Sequence, residues 1–258
     1  MALAEENHRD IKWSFGAVPL ARNEIHDKVT ELMNNEPRGK VLDVPTGTGV
    51  LAARLKGMGF SVSCCDINPS YFSVPDLTLQ IGDLNQSLPY PSASFDFILC
   101  IEGLEHLENP FNAIHEFSRL LKPKGKVFLT LPNYLNIERR MRFLITGLFS
   151  KIPSPKKLGK DRFEHLWMLH LTPLTYPILK LVMEHSGFEI LYIGKDKEKK
   201  RMKWLLPIVW GIRCYCFFWS KEKKEDYHLA DTLSPRLIMG GNTLILVAEK
   251  EESKNDRR

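Results

Sequence analysis

The apolar and polar residues of this chain alternate in short blocks. From Lys40, the apolar run Val41, Leu42 and Val44 reads as a short buried strand, with an acid, Asp43, near its end. A glycine turn, Gly47-Thr48-Gly49, follows, and Leu51, Ala52, Leu55 and Met58 then recur at helical spacing. Gly57 and Gly59 stop that helix, and a second apolar run, Phe60 to Cys65, closes on Asp66. Leu77–Ile81, Phe95–Ile101 and Val127–Leu131 read as three further strands. Between the last two, a helix over Pro110–Leu121 turns Ile114, Phe117, Leu120 and Leu121 inward and stops at Lys122-Pro123-Lys124-Gly125. A late helix, Leu174–His185, is ended by Gly187, and a final pair of strands lies in SGFEILYIG and NTLILVAEK. Strands alternating with helices predict an α/β fold, a mostly parallel sheet with helices on both faces.

Residues 1–39 read as a helical lead-in, with Val29, Leu32 and Met33 at helical spacing and Pro37-Arg38-Gly39 as the break. Trp13 and Phe15 in that segment are candidates to cover a ligand cleft, with packing as the commoner use of such aromatics. Residues 40–250 are then one domain with two insertions, at about 134–170 and 195–241, and 251–258 is expected to be a disordered tail.

Composition narrows the class. A length of 258 residues buries one sizeable core, and 26% charged residues is ordinary for a soluble globular domain. The opening MALAEENHRD is polar and acidic, so no secretory leader is expected, and no uncharged apolar run reaches the length of a bilayer span. Cys64, Cys65, Cys100, Cys214 and Cys216 lack zinc-ligand spacing, which points to buried thiols in a reducing, cytoplasmic setting. The net charge of +5 is concentrated in Lys151–Arg162, Lys195–Lys203 and Lys221–Lys224. Such runs are usually solvated loops, and no nucleic-acid partner is expected.

The stretch Lys40–Asn68 carries the chemistry. Strand, glycine turn, helix, strand and terminal acid make a βαβ nucleotide-binding unit. The glycines let the backbone approach a ligand, and the helix start after Gly49 offers N–H groups to a carboxylate or phosphate. Asp66, at the tip of the second strand, is placed to accept both hydroxyls of a ribose. Because Gly47-x-Gly49-x-x-Ala52 with a downstream acid also fits the dinucleotide fingerprint, an NAD-linked oxidoreductase is a rival reading. A P-loop is excluded, since no Gly-Lys-Ser/Thr follows the turn.

Further motifs single out one family. VLDVPTGTG, CCDIN, IGDLNQSLPYPSASFDFILCIEGLEHL, RLLKPKGKVFLTLPN, SGFEILYIG and NTLILVAEK together resemble the class I S-adenosylmethionine-dependent methyltransferases, of the small-molecule type that includes the ubiquinone-biosynthesis enzymes. The resemblance implies a Rossmann-like, seven-stranded sheet with its last strand antiparallel, and S-adenosylmethionine as cofactor. It implies that Gly47, Thr48 and Gly49 pass under the methionine part and that Asp43 supports the loop and the amino group. Asp66, followed by Ile67, would hold the ribose. Asp83 would accept from the adenine amine with Leu84 beside the ring, and Cys100, Ile101 and Glu102 would flank the cofactor. The dinucleotide reading predicts neither Asp83 nor the final strand pair. One departure is Pro45-Thr46, where the family usually has its first glycine; a reshaped but working loop is expected.

Methyl transfer from sulfonium is an in-line displacement that alignment and desolvation promote. For a hydroxyl acceptor, His106 is the candidate general base, with Glu105 beside it. Its alternative use is packing or capping. Glu102-x-x-Glu105-His106 also resembles the cluster by which some family members hold a divalent ion, with His165 or His170 as a further ligand.

The insertions are expected to set the acceptor: a small molecule, a sugar or a lipid-linked compound. The second carries Trp204, Trp210 and Trp219 among aliphatics and between lysines, the composition of an interfacial element that would bring the protein to the inner face of a membrane, although packing on its own domain is an equally common use. Pro207 and Arg213 argue against its spanning one. A methyltransferase-like binding protein without catalysis is the competing class, and only the Pro45-Thr46 turn hints at it.

Overall fold

The computed structural model describes residues 21–152, 169–197 and 200–252; Trp13, Phe15, His165, most of the basic run Lys151–Arg162 and the tail from 253 lie outside them. Seven strands form one sheet in the order β3-β2-β1-β4-β5-β7-β6. β1 (Lys40–Asp43), β2 (Ser61–Asp66), β3 (Leu79–Ile81), β4 (Phe95–Ile101) and β5 (Leu121–Pro132) run parallel. β7 (Thr243–Lys250) lies antiparallel between β5 and β6 (Phe188–Lys195). The expected fold class is therefore the observed one.

Period-two alternation puts one set of strand residues on each face. Val41, Phe97, Leu99, Phe128 and Val247 pack under α1 (Asn23–Asn34) and α2 (Val50–Gly57), through Ile25, Val29, Met33, Leu51 and Leu55. Leu42, Ile98, Cys100, Leu129 and Leu246 face the other way, against Ile114 and Phe117 of α3 (Pro110–Leu120) and Leu179 and Met183 of α5 (Tyr176–His185). Asn109 caps α3, its side chain accepting from the Asn112 amide at 3.2 Å, and Pro110 fills the first helical position.

β5 begins earlier than expected. Rather than a loop, Lys122–Gly125 form a bulge inside the strand: Leu121 pairs with Phe95, and the register resumes at Lys126 opposite Phe97. Lys124 takes a left-handed backbone there, and Lys122 Nζ reaches Asp96 at 2.7 Å.

The two insertions fold together. α4 (Ile137–Thr146), the 3₁₀ stretch Lys200–Leu205, α6 (Leu206–Phe217) and α9 (Pro235–Ile238) share a small core of Ile137, Met202, Leu205, Val209 and Ile238. Two shorter helices, α7 (Lys221–Asp226) and α8 (Leu229–Thr232), complete the second insertion. Buried asparagines link the pair, Asn133 Nδ2 donating to the Leu237 carbonyl and Asn136 Nδ2 to that of Gly241, both at 2.9 Å. Since β5 and β6 are both antiparallel to β7, they point the same way, and both insertions leave the sheet at its C-terminal edge.

Candidate active site

That C-terminal edge holds a cleft of about 400 Å³ where β1, β2, β3 and β4 end. Ligands of open α/β sheets bind at this edge. Its floor is the turn after β1. Thr46 Oγ1 donates to Asp43 Oδ2 at 2.7 Å, and the Gly47 amide donates to Asp66 Oδ2 at 2.8 Å. Gly47 and Gly49 have φ of 55° and 82°, in the left-handed region that favours glycine. A Cβ on Gly49 would lie 2.7 Å from Val74 and 2.8 Å from Phe72, so this glycine turns the chain against the wall.

Pro45 lies on the cleft wall, and its ring defines the place of Gly103, where a Cβ would meet Pro45 Cδ at 2.5 Å. The departure from the usual glycine is thus matched by a glycine after β4.

Three acids stand around the turn. Asp43 is fully buried, and desolvation raises its carboxyl to about 7 against the lowering effect of the Thr46 hydroxyl. The charge of Asp66 raises it further, and the Ala52 amide of α2 opposes that. Asp66 also accepts from the Asn68 amide, Oδ1 at 2.9 Å. Each of its oxygens has a second acceptor site beyond these backbone bonds. Asp83 Oδ1 accepts from the Asn85 amide at 2.8 Å and from Asn85 Nδ2 at 3.0 Å.

Of the residues expected at the cofactor, Asp43, Gly47, Thr48, Asp66 and Ile67 line this cleft, and so do Asp83, Leu84, Ile101 and Glu102, together with the catalytic candidate His106. Cys100 and Gly49 do not. Cys100 alternates with Ile101 along β4, so its side chain faces the opposite core and burial holds its thiol well above the ordinary range. Burial likewise pushes Cys64 and Cys65 up to about 12, leaving inert thiols, and Cys214 is the one exposed cysteine of the five.

Glu102 has φ 50°; its amide donates to Thr130 Oγ1 at 2.9 Å, and its Oε1 accepts from Thr243 Oγ1 at 2.9 Å. Arg22, just before α1, donates to the same Thr243 oxygen at 3.0 Å and pairs with the buried Asp196 at 2.7 Å. This ties the lead-in helix across the cleft edge. It also brings His26 to the lining, a residue that sequence patterning leaves unnoticed, buried and with Nδ1 unpaired. Burial and the Arg54 charge lower it to about 4, so it is neutral at pH 7. Asn68, Tyr71 and Asn85 are further lining residues whose turns gave no chemical signal.

Beyond β4, the 3₁₀ turn Leu104–His106 carries the catalytic candidates. The His106 Nδ1 lies 3.0 Å from the Leu169 carbonyl, which can only accept. Nδ1 therefore donates, and in the neutral ring this leaves the basic lone pair on Nε2. Glu105, in contrast, is 1% exposed and is not among the residues that line the cleft. Desolvation raises its carboxyl to about 8, and Oε2 has no partner. His170, across an edge-to-face contact with His106 at 5.1 Å, is lowered to about 4 by burial and by the His106 charge. Its Nδ1 lies 3.3 Å from the Tyr134 hydroxyl. Ligand atoms of Glu105, His106 and His170 come within 4.8 Å of one another, a carboxylate and two imidazoles that suit a divalent cation. Glu102 is engaged with Thr243 instead.

The sheet order, with an antiparallel strand inserted before the edge, departs from the dinucleotide-binding order 3-2-1-4-5-6. Together with an acid at the end of β2 and another after β3, it defines a class I methyltransferase. The sequence profile of the methyltransferase domain family matches residues 20–193. The chain belongs to this family and is an S-adenosylmethionine-dependent methyltransferase. It is 30% identical over 184 residues to a ubiquinone biosynthesis O-methyltransferase of Thiobacillus denitrificans (strain ATCC 25259 / T1), covering 62% of this chain and 78% of that protein. A ubiquinone/menaquinone biosynthesis C-methyltransferase, UbiE of Shewanella pealeana (strain ATCC 700345 / ANG-SQ1), is also 30% identical, over 169 residues, covering 59% and 67%. Among solved structures, a SAM dependent methyltransferase from Archaeoglobus fulgidus shares the fold at 17% identity, with a TM-score of 0.55 over 87% of this chain and 94% of that one. The [4+2]-cyclase SpnF shares it at 20% identity, with a TM-score of 0.51 over 88% and 81%.

Proposed function

We propose that this enzyme, reading residues 40–250 as one catalytic domain, transfers the methyl group to a hydroxyl of a small-molecule, sugar or lipid-linked acceptor on the cytoplasmic side of a membrane. The observation that carries the choice of oxygen is the tautomer of His106, whose Nδ1–H is spent on the Leu169 carbonyl. Its Nε2 is then the atom that takes a proton. In this reading Asp66 accepts from the ribose hydroxyls and Asp83 from the adenine amine. Asp43, at the end of β1 and bonded to the Ala52 amide of α2, ionises against the ammonium of the methionine part. Bound S-adenosylmethionine would supply an electrophilic methyl group on its sulfonium, and His106 Nε2 would take the proton that the acceptor hydroxyl gives up on methylation. The protein supplies alignment, a dry cleft and the base. O-methyl relatives support oxygen; C-methyl relatives of equal identity make carbon the competing target.

The test is transfer of an isotopically labelled methyl group into lipid extracts, followed by identification of the labelled product. A labelled methyl ether formed by the wild type and lost in His106→Ala supports the reading; label on carbon or nitrogen overturns it.

A second reading rests on the Glu105–His106–His170 cluster. These three residues would hold magnesium or manganese, which would polarise the acceptor oxygen. Activity abolished by chelator and restored by either ion supports it, and activity indifferent to chelator removes it.

A further inference from the structure

The insertions present an apolar surface that the described residues do not cover. Apart from Arg213, α6 carries no charged side chain on any face, yet only Val209 and Cys216 are buried. A helix of that kind belongs in a core or in lipid. Trp204, Trp210 and Phe218 are instead 74%, 70% and 84% exposed. α4 behaves in the same way. Its Ile137 and Met141 enter the small core shared with α6, and the same helical stripe continues into Leu144 and Ile145, which are 76% and 77% exposed. Two adjacent helices thus carry apolar stripes longer than the structure that covers them, a feature that marks an interaction surface.

Charge identifies the partner. Residues 200–226 carry seven basic and three acidic side chains, a net of +4, and between Lys203 and Lys221 Arg213 is the only charge. Lys223 Nζ sits 3.9 Å from the Trp219 ring centre, and Lys224 Nζ 5.4 Å from that of Phe217. Both ammonium groups lie over aromatic rings at the end of this apolar stretch, so basic charge and aromatic rings share one level, the combination found at a lipid headgroup boundary. A core-to-core protein interface would be depleted in lysine. Among the described residues no helix is long and apolar enough to cross a membrane.

We infer that α4 and α6 together form a docking face for an anionic lipid bilayer, with Leu144, Ile145, Trp210 and Phe218 entering the headgroup region and the lysines meeting lipid charge. Both insertions leave the C-terminal edge of the sheet, the edge that also holds the cleft, so docking through them would bring that edge toward the bilayer and shorten the path of an acceptor from lipid to His106. The inference rests on the lipid-linked acceptor reading and adds to it the surface and the partner.

The test is co-sedimentation of the whole protein with vesicles of neutral phosphatidylcholine, with and without phosphatidylglycerol. Binding is expected only with the anionic lipid, weakening as salt rises. The Trp210→Ser/Phe218→Ser variant is expected to lose at least about tenfold in vesicle affinity, while S-adenosylhomocysteine binding stays unchanged and reports an intact fold. Wild-type protein that binds S-adenosylhomocysteine but stays in the supernatant with anionic vesicles overturns the inference. Concentration-dependent self-association abolished by the same variant, without vesicle binding, also overturns it and makes the face a contact between copies. Vesicle binding without methyl transfer to lipid extracts leaves the docking face standing and removes the acceptor reading alone.

Discussion

The cofactor cleft and the paired insertions sit on the same edge of the sheet and are built on opposite principles. In the cleft, polar groups are fixed by short backbone contacts: Asp66 holds the Gly47 and Asn68 amides, and Asp43 holds the Thr46 hydroxyl. In the insertions, Trp204, Trp210 and Phe218 stand in solvent. A site for a ligand of known shape is pre-organised by the chain itself, so its stability and its function depend on the same residues. The insertion face has chemistry and little internal closure, so its function can be removed with little effect on the fold.

The largest break in that comparison is Asp66→Ala. It removes the proposed ribose acceptor and leaves two loop amides without their partner, so S-adenosylmethionine affinity should fall by about a hundredfold or more, given roughly 1–3 kcal/mol for each bond to a charged group. Calorimetric titration measures this, and unchanged affinity in a folded variant places the ribose elsewhere. His106→Ala should lower turnover by roughly a hundredfold while cofactor affinity stays within a factor of about two. An equal loss in both would make His106 a packing residue.

Gly103→Ala tests the match between the turn and β4. With Pro45 Cδ 2.5 Å from the new methyl, the variant should lose about 1–3 kcal/mol in denaturant unfolding. Adding Pro45→Ala should recover most of it, and additive losses would show that the two sites do not touch.

A smaller effect comes from Asp43. Its raised carboxyl is protonated below about 7, and an ammonium bound beside it favours the ionised form. Binding then releases a proton, so affinity should rise by up to about tenfold between pH 6 and pH 8 and flatten above. Asp43→Asn should abolish that slope; a slope retained in the variant assigns the proton to another group. The smallest effect belongs to the insertions: Trp210→Ser should change unfolding free energy by no more than about 0.5 kcal/mol. A larger loss would mean that the tryptophan packs in the protein after all.

Legibility in the sequence followed the same division. The turn, both strand-end acids and His106 were readable because each is dictated by local chemistry within a few residues of a strand end. Cys100 was misplaced by one residue of strand period: Ile101 lines the cleft, and its neighbour faces the opposite core. Glu105 lies beside His106 in sequence but does not line the cleft, since the 3₁₀ turn sends adjacent side chains in different directions. His26 was not readable at all. It reaches the cleft through the Arg22–Asp196 and Arg22–Thr243 contacts, between residues more than 170 positions apart. The shared core of the insertions is another such case, because Ile137 meets Met202 and Ile238 only after both segments return to one edge. The bulge in β5 was hidden by Pro123 and Gly125, which signal a loop to any local reading.

The most direct measurement of the account is a crystal structure with S-adenosylhomocysteine. The account predicts both ribose hydroxyls within about 3 Å of the Asp66 carboxylate, the adenine between Asp83 and Leu84, and the sulfur facing the side of the cleft that holds His106. Product bound with its ribose away from both acids, or outside this cleft, would contradict it.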